Sequence, residues 1–167
     1  DFSEEAYFDV IRKKTAALFK ASSQSGAVSV GAVQEEVMKA GLLGEMIGIA
    51  FQIKDDIFDY FESSELGKPT GNDMLEGKLT LPALYVLNQT GDDSLKQTAL
   101  KIRSLEASKE EIANFVETVK EKGGIEYATR MMYEFRDKAL ALVPASADSS
   151  LKEALTAYID YVIERNK

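Results

Sequence analysis

The sequence predicts an all-α protein. Apolar residues recur at helical spacing along most of the chain, Ala, Leu, Glu, Lys and Met fill the intervals, and only three prolines interrupt them. No segment reads as a strand. Asp1 or Ser3 caps a first helix running to residue 19. Glu4 and Glu5 suit its first turn, and Phe8, Ile11, Thr15 and Leu18 form its stripe. Residues 22–26 read as a small polar break. A long helix over 30–61 follows. Gly41, Gly44 and Gly48 inside it each cost about 1 kcal/mol relative to alanine, so a closely packed neighbour is expected there.

Residues 63–78, rich in Gly, Pro, Lys and Asp, read as a loop. Residues 81–88 form a short apolar helix with Pro82 in its first turn, ended by Gly91-Asp92-Asp93. Residues 93–104 form another. Ser108-Lys109-Glu110-Glu111 is a capping box that opens a helix to residue 122, and Gly123-Gly124 stops it. Helices over 125–143, stopped at Pro144, and over 149–166 complete the chain. Met131, Met132, Tyr133, Phe8, Phe19, Phe58 and Phe61 are assigned to core packing. No repeat, linker or low-complexity tract appears, so residues 1–167 read as part of a single domain.

Composition narrows the chemistry. At 167 residues and 45% hydrophobic the chain can bury a sizeable core. A net charge of -8 argues against nucleic-acid binding, which needs a basic face. Without cysteine there are no disulfides or thiolate metal sites. Without histidine the commonest general base and the usual zinc ligand are gone. A metal would be held by oxygen, which points to magnesium or calcium. A phosphate ligand would need local lysines or bridging cations. The most apolar run, 46–53, is too short to cross a bilayer, so an integral membrane protein is not expected and the cytoplasm is the expected location. The chain starts at Asp1 without a methionine, and a cut or truncated product is expected.

The chemistry concentrates on Phe51-Gln52-Ile53-Lys54-Asp55-Asp56-Ile57-Phe58-Asp59. On a helical wheel Gln52, Asp55, Asp56 and Asp59 fall within an arc of about 100°, with Glu45 and Gly48 on the same stripe. Most of the rest of this helix is apolar, as in a buried helix. Carboxylates there are costly unless something cationic meets them, and an oxygen-held magnesium ion is the natural answer. An acidic triplet on a solvent-facing helix would carry the same letters. The following segment separates the two cases: Gly67-Lys68, Gly71, Asp73, Gly77-Lys78 and Thr80-Leu81-Pro82. Lysine is a point charge for phosphate, and glycine lets the backbone come close.

Taken together, these residues resemble the second aspartate-rich region of the trans-isoprenyl diphosphate synthases, the polyprenyl synthetase family. Lys14-Thr15-Ala16-x-Leu18 resembles the family's Lys-Thr motif. Gly124-Ile125-Glu126-Tyr127-Ala128 and Tyr161-Val162-Ile163-x-Arg165 also fit, so the resemblance covers nearly the whole chain. It implies the helical bundle of the class I isoprenoid synthases, here its carboxyl-terminal part with the amino-terminal helices absent. It also implies a prenyltransferase reaction. An allylic prenyl diphosphate ionises between two aspartate-rich helices bearing Mg2+, isopentenyl diphosphate attacks the cation, and a proton passes to the departing diphosphate.

By this match Asp55 is a direct magnesium ligand, and Asp56 and Asp59 assist directly or through water. Lys14, Lys68 and Lys78 neutralise the allylic diphosphate. Thr15 and Gln52 hydrogen-bond near it or near the nascent cation, and Phe51 lies beside the isoprenoid. Lys13 is the solvated neighbour against which Lys14 is judged. The sequence departs from the pattern in one respect: no second aspartate-rich motif precedes Lys14. The isopentenyl diphosphate site belongs mostly to the missing part. The chain alone is therefore expected to be inactive, and helix faces left uncovered are expected to drive homo-oligomer formation by exchange of helices.

Other readings remain open at this level. A terpene cyclase or other class I terpenoid synthase shares the helices and metal site, but not the Gly-Lys segment followed by Lys78-x-Thr80-Leu81-Pro82. A non-catalytic helical regulatory subunit would receive its first aspartate motif from a partner. A plain acidic helical domain would bind nothing. The Gly-Lys segment leans towards medium or long polyprenyl products by analogy.

Overall fold

The computed structural model describes residues 2–61 and 70–165, and every regular element among them is helical. These are α1 (Glu4–Ile11), a π-helical segment (Arg12–Ala16), α2 (Ala17–Ser29), α3 (Gln34–Phe58) and α4 (Asn72–Leu75). Then come α5 (Leu81–Thr90), α6 (Asp93–Arg103), α7 (Lys109–Glu121), α8 (Gly124–Ala141) and α9 (Ser149–Glu164). Two compact units result. One comprises Asp1–Tyr7 with Asp55–Thr129, the other Phe8–Lys54 with Arg130–Asn166.

The amino-terminal helix differs from expectation in two ways. First, the π-helical segment fits one extra residue into its turn. The inward stripe of Ile11 therefore continues at Ala16, fully buried, while Thr15 and Phe19 are half-buried and Leu18 leaves the stripe. Leu18 swings out to 72% exposure. Second, no break forms at 22–26, because α2 runs through to Ser29. The reason lies across the sequence. A Cβ at Gly41 would sit 2.7 Å from the Gln24 amide nitrogen, and one at Gly48 would sit 2.6 Å from the Ala16 Cα. Ala16 of the π-helical segment and Phe19, Ser23 and Gln24 of α2 thus pack against the glycine stripe of α3, the close neighbour those glycines predict.

The long helix is shorter than 30–61: α3 ends at Phe58 and residues 59–61 form a turn. Of the expected loop over 63–78, residues 63–69 lie outside the described residues, Lys68 among them. The rest is not all loop, since α4 makes one helical turn there. Gly71 precedes it with φ of 78°, a left-handed conformation that costs glycine nothing.

In the Asp55–Thr129 unit, α5, α6 and α7 close on Leu87, Leu95, Ile102, Phe115 and Val119. Gly91 ends α5 in the left-handed conformation, and the Asp92 side chain accepts from the Ser94 and Leu95 amides to start α6. The capping box at Ser108 and Glu111 forms with both of its reciprocal bonds. In the other unit α8 buries Met132, Phe135 and Ala139, and α9 buries Ile159, Val162 and Ile163. Two residues assigned to the core are exposed. Phe61, at 48%, lies beyond the end of α3 with the Lys120 ammonium over its ring. Tyr133, at 42%, sits one residue off the buried stripe of α8. Phe8, Phe19, Phe51 and Phe58 are half-buried.

The glycine stripe yields a paired test. Gly48→Ala forces its new methyl against the Ala16 backbone and is expected to cost about 1–3 kcal/mol of stability. Gly26, also helical, has nothing within 4 Å of its missing Cβ, so Gly26→Ala should add about 0.5–1 kcal/mol. Urea denaturation of both variants checks the contrast.

Candidate functional site

In the Phe8–Lys54 unit the π-helical segment carries the Lys-Thr motif and is pinned to α3 at two points. Arg12 Nε lies 2.9 Å from the Glu45 carboxylate, and Thr15 Oγ1 donates to Gln52 Oε1 at 2.7 Å. Lys20 completes the first contact at 3.0 Å on the other Glu45 oxygen. Glu45 is only 6% exposed, so two cations answer its buried charge. Between the two pins the chain carries Lys13 and Lys14, both exposed. Lys13 pairs with Asp9 at 2.7 Å, one helical turn back. Lys14 forms no ion pair among the described residues, which leaves its ammonium available to an anion.

Phe51 is packed on both sides in the same unit. Its ring centroid is 5.3 Å from that of Phe19 and 3.9 Å from the Arg165 guanidinium carbon. Arg165 also donates to the Phe51 carbonyl oxygen at 3.3 Å and to the Val162 carbonyl oxygen. Burial, and then the charge of Arg165, lower the pKa of Lys54, two residues before Asp56.

The aspartates fall in the Asp55–Thr129 unit and meet different partners. Asp56 is 4% exposed and accepts a 2.6 Å hydrogen bond from the Tyr7 hydroxyl. Burial, and then the charge of Asp56, push the Tyr7 phenol well above its usual pKa. Asp59 lies just past the end of α3 and accepts from the Asn72 and Asp73 amides, each at 3.0 Å. Its carbonyl oxygen takes the Gly71 amide at 2.8 Å. It thereby supplies the amino-terminal amides of α4 with an anionic acceptor. Asp55 is half-buried. Lys78 is exposed and bonds to Glu76, with Asp73 3.9 Å away; the Glu76 bond raises its pKa.

Sequence reasoning missed three contributors. Neither Tyr7 nor Arg12 falls on the stripe or in the motifs singled out above, and Arg165 entered only as part of a terminal motif.

The aspartates offer only oxygen, which fits a hard divalent cation. Among the described residues, no three Asp or Glu converge closely enough to enclose a metal ion.

The sequence profile described as Polyprenyl synthetase matches residues 1–119. The chain belongs to the polyprenyl synthetase family. The crystal structure of geranylgeranyl pyrophosphate synthase from Bacteroides thetaiotaomicron is similar with a TM-score of 0.94 and 57% identity, over 99% of this chain and 55% of that one. A polyprenyl synthase from Caulobacter crescentus CB15, solved in complex with calcium and isoprenyl diphosphate, matches with a TM-score of 0.86 and 31% identity. That match covers 100% of this chain and 52% of the other. The short chain isoprenyl diphosphate synthase of Methanothermobacter thermautotrophicus is 34% identical over 168 residues, 99% of this chain and 50% of that protein. The chain thus spans about half the length of the curated relatives it matches. Its fold is the all-α class I fold of these family members.

Asp59→Ala tests the capping role. It should speed hydrogen exchange of the Asn72 and Asp73 amides and lower stability by about 1–2 kcal/mol. Amide exchange and denaturant melts read the two effects separately.

Proposed function

We propose that this chain carries part of the active site of a prenyltransferase that condenses an allylic prenyl diphosphate with isopentenyl diphosphate. The observation that carries the reading is the 2.7 Å hydrogen bond from Thr15 to Gln52. It joins the Lys-Thr motif to the head of the aspartate-rich motif across 37 residues of sequence. In the reaction the allylic carbon–oxygen bond breaks and its electron pair leaves with the diphosphate. A carbon–carbon bond forms to the terminal alkene carbon of isopentenyl diphosphate. The proton lost from that unit passes to the diphosphate.

Each residue then has a task. Lys14, together with Lys68 and Lys78, lowers the negative charge on the diphosphate as it departs. Thr15 binds the oxygen end of the Gln52 amide and so fixes which end can donate. Phe51, clamped between Phe19 and Arg165, presents a rigid aromatic wall to the isoprenoid. Asp55 would be the direct ligand for Mg2+, with Asp56 and Asp59 assisting directly or through water. A divalent cation bound there supplies positive charge to the diphosphate oxygens. The isopentenyl diphosphate site falls mostly on the part of the family fold that this chain does not span, so the chain alone is expected to be inactive. Leu18, Val28, Val30, Val33 and Met38 are all more than half exposed and supply an apolar surface for self-association.

Calorimetric titration with a nonreactive prenyl thiolodiphosphate, with and without Mg2+, tests the site. Binding should require Mg2+ and weaken at least about tenfold in Asp55→Ala, with Lys13→Ala unchanged. Equal effects of the two substitutions would remove the metal role. Sedimentation at micromolar concentration tests association, and a clean monomer would count against it.

A further inference from the structure

The π-helical segment is an uncommon register, and one carboxylate of α3 spans it. Arg12, its first residue, reaches one Glu45 oxygen at 2.9 Å, and Lys20, in α2 just beyond it, reaches the other at 3.0 Å. On a continuous α-helix two residues eight apart lie about 80° from each other. The extra residue held in the π turn leaves an effective spacing of seven, two turns of helix, and brings them within about 20°. Both cations then face the same line of α3, so a single carboxylate between them favours this register over the α-helical one. Gly44 and Gly48 flank Glu45, and a Cβ there would meet the Phe19 carbonyl oxygen at 2.5 Å and the Ala16 Cα at 2.6 Å. That close approach brings Glu45 within reach of both cations. The demand for the pairing comes from Glu45, whose charge is buried, whereas the side chains of Arg12 and Lys20 are 46% and 42% exposed and could be hydrated without it.

Between the Arg12 contact and the 2.7 Å bond from Thr15 to Gln52 lie only Lys13 and Lys14. Both ends of this short stretch are fixed on α3, so the backbone that carries Lys14 is fixed as well. We infer, on the reading of the site given above, that Glu45 is a positioning residue for the Lys-Thr motif: by taking Arg12 and Lys20 together it holds the π-helical register that aims Lys14 and Thr15 at the diphosphate. Charge alone predicts the opposite sign. A carboxylate near an anion repels it, so its removal would strengthen binding. Glu35 provides the control, because it carries the same charge on α3 and pairs with Lys39 at 2.6 Å on an exposed face.

The test combines calorimetric titration of the chain with Mg2+ and a nonreactive prenyl thiolodiphosphate with amide hydrogen exchange. Glu45→Gln is expected to weaken Mg2+-dependent binding about three- to tenfold, while Glu35→Gln leaves it unchanged. In a Lys14→Ala background Glu45→Gln should add little further loss, because the group it aims is already gone. Exchange of the amides at residues 15–17 should quicken at least about tenfold in Glu45→Gln, with those of α9 unchanged. Lys20→Met, which leaves Glu45 its Arg12 partner, should move the same amides in the same direction. Unchanged or tighter binding in Glu45→Gln overturns the inference, as does an equal loss in the Lys14→Ala background, which would mark a general structural effect. Unchanged exchange at residues 15–17 in both variants also overturns it. If the unsubstituted chain binds no thiolodiphosphate, the reading of the site falls and the positioning role with it; if it binds and Glu45→Gln binds equally well, only the role of Glu45 falls.

Discussion

A carboxylate withdrawn from water must be answered by the protein, and α3 with the turn after it imposes that demand three times. Glu45 is answered by Arg12 and Lys20, Asp56 by Tyr7, and Asp59 by the amides of Asn72 and Asp73. Each answer comes from a different stretch of chain. The π-helical segment and α2 supply the first, α1 the second, and the start of α4 the third. The acidic residues that mark the candidate site are therefore also the points that hold its surroundings in register. A single substitution among them acts on the local architecture.

The other organising constraint is the closeness of α2 to α3. Glycine at 44 and 48 leaves no room for a side chain, because the backbone of Phe19 in α2 and of Ala16 in the π-helical segment lies directly against them. Close approach brings the π-helical segment near enough for Thr15 to reach Gln52 directly. The same geometry leaves Lys14 facing solvent while its neighbours on either side are tied down. The exposed ion pair to Asp9 distinguishes Lys13 from Lys14, which forms none among the described residues.

Much of this was legible in sequence. The capping box at Ser108, the left-handed stop at Gly91 and the need for a neighbour at the α3 glycines all follow from local chemistry. What was not legible depends on partners distant along the chain. Residues 22–26 look like a break until Gly41 and Gly44 are placed against them. The stretch after Gly71 looks like loop until Asp59 is seen to cap it. The wheel sets Asp55, Asp56 and Asp59 on one stripe, yet the helix ends at Phe58, so the last aspartate belongs to a turn and also caps α4. Leu18 fits a 3.6-residue period that the π-helical segment interrupts, and Phe61 is apolar in a place where the helix has already stopped. Arg165 lies 114 residues from Phe51, and no local pattern announces their stacking.

The π-helical segment also makes the count of residues part of the chemistry. An ordinary helix with one residue fewer between Ile11 and Ala17 would read almost the same in an alignment, differing by a single gap. In the folded molecule the residues from Phe8 to Ile11 would turn by about 100° relative to α2. Phe8 and Ile11 would keep their identities and lose their addresses. In descendants of this sequence, point changes at these positions are therefore a milder form of drift than a one-codon deletion that alters none of the named side chains.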